Sequence, residues 1–139
     1  MRLNPHLAFN GQCEAAFKFY EKCLGGKIVM MVTYGDSPGA EQTPPDWRNK
    51  IIHATFALGD HVLQGADAPP ERYRKPQGFS VLLNVGAAAE ADRIFKSLAE
   101  KGAVEMPLQE TFWALRFSML ARIIREHAFD RRLAGEQAA

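Results

Sequence analysis

Apolar and polar positions alternate from the start of the chain: Leu3, Pro5, Leu7 and Phe9 stand against Asn4, His6, Ala8 and Asn10. A period of two predicts a strand. Pro5 belongs near its beginning, because proline cannot donate to the ladder of a central strand. Gly11 to Cys13 make a turn, and the period then changes. Ala16, Phe19, Tyr20 and Leu24 fall on one helical stripe that Gly25 and Gly26 stop. The apolar run Lys27 to Tyr34 predicts a strand. Ile51 to Leu58 predicts another, with Gly59-Asp60 as a tight turn and His61 to Gly65 as its return strand. On simple alternation His53, Thr55 and Ala57 share one face, with Ile52, Ala54 and Phe56 opposite.

The same unit returns 76 positions later: Leu7 matches Leu83, Phe9 Val85, Ala15 Ala91, Phe19 Phe95 and Gly26 Gly102. Phe79 to Val85 predicts a strand and Ala87 to Glu100 a helix, the latter rich in residues of high helical propensity. Two matching strand-helix faces point to a duplicated module. Two links interrupt the pattern. Gly35 to Lys50 is polar and carries Pro38, Pro44 and Pro45. A link of that length reads as a functional loop, a lid or a mobile segment. Within it Pro44 to Trp47 can start a short helical turn, and Trp47 can cover a pocket, seal an interface or simply anchor the loop. Asp67 to Gly78 joins the two modules. Near the end, Leu108 to Met119 is rich in strand-forming aromatics. Leu120 to Leu133 fits either a helix or a turn followed by a weak strand around His127 to Phe129, and the last residues read as frayed.

Length and composition narrow the possibilities. A chain of 139 residues, 47% hydrophobic, fits a single domain with a real core. A formal net charge of +1, with interspersed signs, gives no electrostatic case for nucleic acid or an anionic membrane. No apolar run reaches membrane-spanning length and the first residues lack a signal-peptide core, so a cytoplasmic location is expected. Cys13 and Cys23 lie ten apart on one predicted helix and read as reduced structural thiols.

No phosphate-binding glycine loop, nucleophile elbow, Cys-x-x-Cys or His-Glu-x-x-His is present. The histidines are His6, His53, His61 and His127. Two of them meeting a carboxylate would suit a divalent metal, with His6 and His53 as the weak candidates, but nothing in the spacing requires it. Tyr34, Trp47, Tyr73, Trp113 and Arg116 form a second group. Aromatic walls with one cation suit a small ligand carrying an anionic group, although aromatics also simply fill cores. Glu110 and Asp67 are acid-base candidates without a visible partner.

Five segments together carry a resemblance. They are N-P-H-L-A-F-N-G-Q-C-E-A-A-F-K-F-Y-E-K-C-L-G-G at 4–26, Y-G-D-S-P-G-A-E at 34–41, I-I-H-A-T-F-A-L-G-D-H-V-L-Q-G-A-D at 51–67, K-P-Q-G-F-S-V-L-L-N-V at 75–85 and M-P-L-Q-E-T-F-W-A-L-R-F-S-M at 106–119. The chain resembles the vicinal-oxygen-chelate superfamily, also called the glyoxalase, bleomycin-resistance and extradiol-dioxygenase superfamily. Its closest likeness is to the PhnB-like branch, sometimes labelled 3-demethylubiquinone 3-methyltransferase-like. The methyltransferase label says nothing mechanistic about these residues, since no S-adenosylmethionine site is visible.

The resemblance implies an α+β fold of two β-α-β-β-β modules, at 3–67 and 78–130, whose curved mixed sheets enclose a cleft, with 131–139 as a tail. It also implies a homodimer. Metal-dependent members carry a ligand on the first strand, seven residues before the polar residue that opens the helix turn. Counted back from Gln12 that position is Pro5, and its duplicate is Val81. Neither side chain binds metal, and His6, one residue off, should face the other way. The return-strand carboxylate of such members falls near Gln64, an amide. After R-F-x-M, PhnB-like relatives continue D-R-F-G-x-P-W, whereas here the chain reads A-R-I-I-R-E-H-A-F-D-R-R, an atypical C-terminal segment.

The leading functional expectation is a small-molecule-binding protein, with metal-independent catalysis on a small anionic or aromatic compound left open and no cofactor expected. Phe9, Tyr34, Gln64, Trp113 and Arg116 would frame the ligand and His53 would be the general base. The alternatives are a divalent-metal-dependent lyase, isomerase or dioxygenase, and a non-catalytic ligand-sequestering protein. A dimer whose cleft is filled by its own side chains is a further reading.

Overall fold

The structure, a computed structural model, describes residues 1–100 with their side chains and the backbone of three later strands at 102–109, 116–122 and 132–137. The chain divides into two compact units, Met1–Arg74 and Lys75–Ala139. Each has the order β-α-β-β-β.

The first unit runs β1 (His6–Phe9), α1 (Cys13–Leu24), β2 (Lys27–Thr33), β3 (Ile51–Leu58) and β4 (His61–Asp67). Its sheet order is β1-β4-β3-β2, with β1 parallel to β4 and the other pairs antiparallel. The second unit repeats this with β5 (Ser80–Asn84), α2 (Ala88–Ala99), β6 (Gly102–Gln109), β7 (Arg116–Arg122) and β8 (Arg132–Gln137), in the order β5-β8-β7-β6.

Helix α1 ends where Gly25 takes a left-handed conformation, φ 77°, and its N–H reaches back to the Glu21 carbonyl. That is the glycine stop its sequence predicts. Its buried face is Cys13, Ala16, Phe17, Phe19, Tyr20 and Cys23. These residues meet Leu7 and Phe9 of β1 and Ile51, Ala54 and Phe56 of β3, all 2% exposed or less. Phe17 sits at the centre. Its ring lies 5.9 Å from Phe9 edge-on, 6.0 Å from Tyr20 and 6.5 Å from Phe56. Edge-to-face contacts at this spacing add to the simple burial of apolar area.

Three expectations are corrected. The sheets do not curl round to enclose a cleft. Each is an open four-stranded mixed sheet, neither strongly curled nor closed. In the first unit β1 and β2 stand at opposite edges and do not pair with each other. Closure into even a small barrel takes more strands, because each neighbour turns the sheet by a limited angle. The segment read as a tail, 131–139, contains β8, which pairs with both β5 and β7. The stretch around His127 to Phe129 lies outside the described residues, as does the choice between helix and strand at 123–131. Finally, Ile51 and not Ile52 faces the core. The register between β2 and β3 shifts so that Thr33 pairs with Ile51 while Val32 pairs with His53. Ile51 is 1% exposed and Ile52 37%. A bulge of this kind moves one residue across the sheet and defeats strict alternation.

Candidate functional site

Within the first unit α1 covers one face of the sheet and no other α-helix of the unit covers the opposite one, the uncovered face; register decides which residues share it. His6 pairs with Gln64, Gln64 with Thr55, and Thr55 with Met30. Directly opposed residues project to the same side, so these four form one row across the sheet. Ala8 pairs with Ala66, and His53 lies two residues from Thr55 on the same strand. A two-residue step returns to the same face. The uncovered face therefore carries His6, His53, Thr55 and Gln64 around the small side chains of Ala8 and Ala66. His53, Thr55, Gln64, Ala8 and Ala66 are half-buried and His6 is exposed.

His53 is fixed by its neighbour. Its Nε2 lies 3.2 Å from the Thr55 hydroxyl. The hydroxyl can donate to an unprotonated Nε2 or accept from a protonated one, which leaves Nδ1 as the complementary donor or acceptor. A neutral imidazole held through one nitrogen can exchange a proton at the other, as a general base requires.

Not all the expected residues come together. Phe9 was expected to frame a ligand, but it is fully buried on the α1 side, packed on Phe17. Two positions along β1 from Leu7, it shares that residue's core face and cannot share that of His6. The Tyr34 hydroxyl donates to the Asp67 main-chain carbonyl at 2.7 Å, and its ring centroid lies 6.5 Å from that of Trp47. Burial pushes the Tyr34 hydroxyl above its ordinary pKa, against the lowering effect of the Trp47 side chain. Arg116 opens β7 of the second unit, where its backbone pairs with Gln137. Trp113 and Glu110 lie outside the described residues.

His6 and Gln64 share a face, contrary to the expectation that His6 points away from the ligand-bearing side. Pro5 precedes the strand and only its carbonyl takes part, accepting from the Gln64 N–H at 3.0 Å. The donor set on this face is two imidazoles, a hydroxyl and an amide. Two imidazoles fall short of the three protein ligands that a divalent catalytic site ordinarily has, and the amide and hydroxyl are poor substitutes. Among the described residues no group of three His, Cys, Asp or Glu side chains could hold a metal ion. The four side chains of this face do not by themselves make a divalent-metal site.

Asp67, an acid-base candidate by sequence, has another role. It is 1% exposed, and its carboxylate accepts the N–H of Cys13 at 2.9 Å and of Ile51 at 2.8 Å. It thus caps the first turn of α1 from the end of β4 and pins the start of β3. Burial raises its pKa above the ordinary 3.8, outweighing the lowering by the Ile51 and Cys13 N–H groups, by the Lys50 charge and by Gly11. With both oxygens engaged and no path to solvent, Asp67 organises the unit and does not act on a ligand.

Among the described residues no helix is long and apolar enough to cross a membrane. Comparison with known proteins agrees with the β-α-β-β-β order. Protein YjdN of Escherichia coli (strain K12) is 33% identical over 127 residues, covering 84% of this chain and 85% of that protein. The crystal structure of protein PA1353 from Pseudomonas aeruginosa has a TM-score of 0.86 at 40% identity and covers 99% of this chain and 98% of that one. The PhnB protein from Bacillus cereus has a TM-score of 0.79 at 23% identity, covering 99% and 100%, a likeness of fold. Residues 2–131 match one family, and the chain belongs to the Glyoxalase/Bleomycin resistance protein/Dioxygenase superfamily.

Proposed function

We propose that this chain is a small-molecule-binding protein of the PhnB-like branch, that it needs no resident metal, and that its ligand lies on the uncovered face of the first sheet with His53 as the general base. The observation that carries this reading is the register that surrounds Ala8 and Ala66 with His53, Thr55, Gln64 and His6. Small side chains leave room over the sheet, and the neutral polar groups around them offer donors and acceptors to a small anionic or aromatic compound. The branch rests on the sequence segments at 4–26, 34–41 and 51–67. A cytoplasmic location accords with the two buried cysteines, Cys13 and Cys23, which form no disulfide.

The decisive measurement is metal content on protein purified without an affinity tag, before and after separate exposure to Ni²⁺, Zn²⁺, Mn²⁺ and Fe²⁺ and removal of the excess. The expected result is no stoichiometric metal. One metal per chain, lost in His53→Ala, would replace this reading with metal-dependent lyase, isomerase or dioxygenase chemistry.

We also propose that the protein is a homodimer. The edge strand β2 supports an interface, because Val29 and Met30 remain 60% and 50% exposed. Light scattering should return twice the chain mass, and Met30→Lys should shift the population toward monomer. A monomeric wild type would sink the proposal.

A further inference from the structure

Between β2 and β3 the chain makes a strap, residues 34–50, whose ends meet. The Tyr34 N–H bonds the Lys50 carbonyl at 2.8 Å, and the Gly35 N–H bonds the Arg48 carbonyl at 2.8 Å. Loops of this shape pack on their own side chains and are frequently functional. Here three short 3-10 turns, Tyr34–Asp36, Ala40–Gln42 and Pro45–Trp47, contain no buried residue.

Several of the strap's polar groups bond within it. The Ser37 hydroxyl bonds the Tyr34 carbonyl at 2.7 Å, the Thr43 hydroxyl the Gly39 carbonyl at 3.0 Å and Arg48 Nε the Thr43 carbonyl at 3.1 Å. Among the described residues the Asp36 carboxylate accepts from the Thr33 hydroxyl at 2.7 Å where the strap leaves β2, and two further side chains reach across to other elements. The Tyr34 hydroxyl donates to the Asp67 carbonyl at 2.7 Å, and Lys50 Nζ donates to the Gly11 carbonyl at 3.2 Å. Both land on the junction where β1 and β4 end and α1 begins.

We propose that residues 34–50 form a preassembled strap that opens and closes as one body, with the Tyr34 hydroxyl and the Lys50 ammonium as its two latches. A segment rich in internal bonds, poor in burial and tied to other elements by few side-chain bonds opens locally at a small fraction of the cost of unfolding the sheet. The strap leaves the sheet directly beyond the Val32–His53 pair. Its position therefore bounds the His53 end of the uncovered face, and its opening governs approach to that end. This role in approach rests on the ligand-site reading above, whereas the latching does not.

Hydrogen exchange with mass-spectrometric readout on ligand-free protein separates the two. In Tyr34→Phe, which keeps the ring and deletes the donor, exchange across residues 35–48 should rise roughly tenfold, the factor that one net hydrogen bond represents. Trypsin cleavage after Arg48 should rise in parallel, while protection in α1, β3 and β4 stays at the wild-type level. Lys50→Met should act in the same direction on the same peptides. Unchanged exchange in both variants would overturn the latches. An equal rise in α1 and β4 would make Tyr34 a buttress of the whole unit and overturn the local strap. Neither result bears on whether the His53 face binds a ligand.

Discussion

Asp67→Asn is expected to destabilise the protein by about 2 kcal/mol at neutral pH, and Asp67→Ala by about 4 kcal/mol, although neither touches an apolar core contact. The carboxylate accepts two buried N–H groups from residues 54 and 16 positions away. An asparagine has one acceptor oxygen. Its amide nitrogen must then face the N–H of either Cys13 or Ile51, donor against donor. Alanine leaves both N–H groups without a partner and removes the charge opposite Lys50. Urea denaturation followed by circular dichroism measures the difference. A loss below about 0.5 kcal/mol in Asp67→Ala would mean that water replaces the carboxylate, and Asp67 would not be the structural tie described.

The pH dependence gives a second, sharper readout. Burial pushes the Asp67 carboxyl above 3.8 and its hydrogen bonds pull it down, with burial prevailing. The folded state then holds the proton more tightly than the unfolded state does. The stability this contributes is fully present below the unfolded value and is lost as pH rises through the raised folded value. The gap between wild type and Asp67→Asn should therefore widen as pH falls through that window and level off below about 3.8. A gap that narrows on acidification would mean that the two N–H groups and Lys50 outweigh burial.

Much of the fold was legible because it rests on local periodicity. The helix, the Gly25 stop and the Gly59-Asp60 turn each depend on neighbours within a few residues, and all three appear in the structure, although the buried face of the helix keeps Ala16, Phe19 and Tyr20, adds Cys13, Phe17 and Cys23 and leaves out Leu24. What the sequence concealed depends on register between distant strands. His6 comes beside Gln64 only because β1 adds to β4 in parallel at that offset. Pro5 misled the count because the strand begins one residue later. Phe9 read as a pocket residue because alternation sorts residues into two faces without saying which face the helix covers. The role of Asp67 was hidden for the same reason, since its partners belong to other elements. Thr55 was the nearest to visible: two residues from His53 on a predicted strand, it had to share that side chain's face. The open form of the sheets follows from strand order, which no single strand's pattern encodes. The strand β8 reads Arg-Leu-Ala-Gly-Glu-Gln, with too few apolar residues to announce itself.

Gly65 and Phe17 supply the second large effect. A Cβ on Gly65 would lie 2.8 and 2.9 Å from two carbons of the Phe17 ring and 3.1 Å from the Leu7 carbonyl oxygen. Gly65 sits in β4 between Leu7 of β1 and Ala54 of β3, so the backbone cannot retreat without breaking a pairing. Phe17 is itself fully buried among Phe9, Tyr20 and Phe56. The ring can lie against the sheet because this position has no side chain. Gly65→Ala should therefore cost about 2–3 kcal/mol as an overpacked core. Phe17→Ala should cost about 4 kcal/mol through lost burial and the cavity left behind. Phe17→Leu shortens the side chain where the new methyl group would intrude, so the cost of Gly65→Ala should fall by at least about 1 kcal/mol in that background. A double-mutant cycle from urea denaturation reads this coupling directly. Strict additivity would place the obstacle at the Leu7 carbonyl instead, and the spacing of β1 against β4, not the ring, would be what demands glycine at position 65.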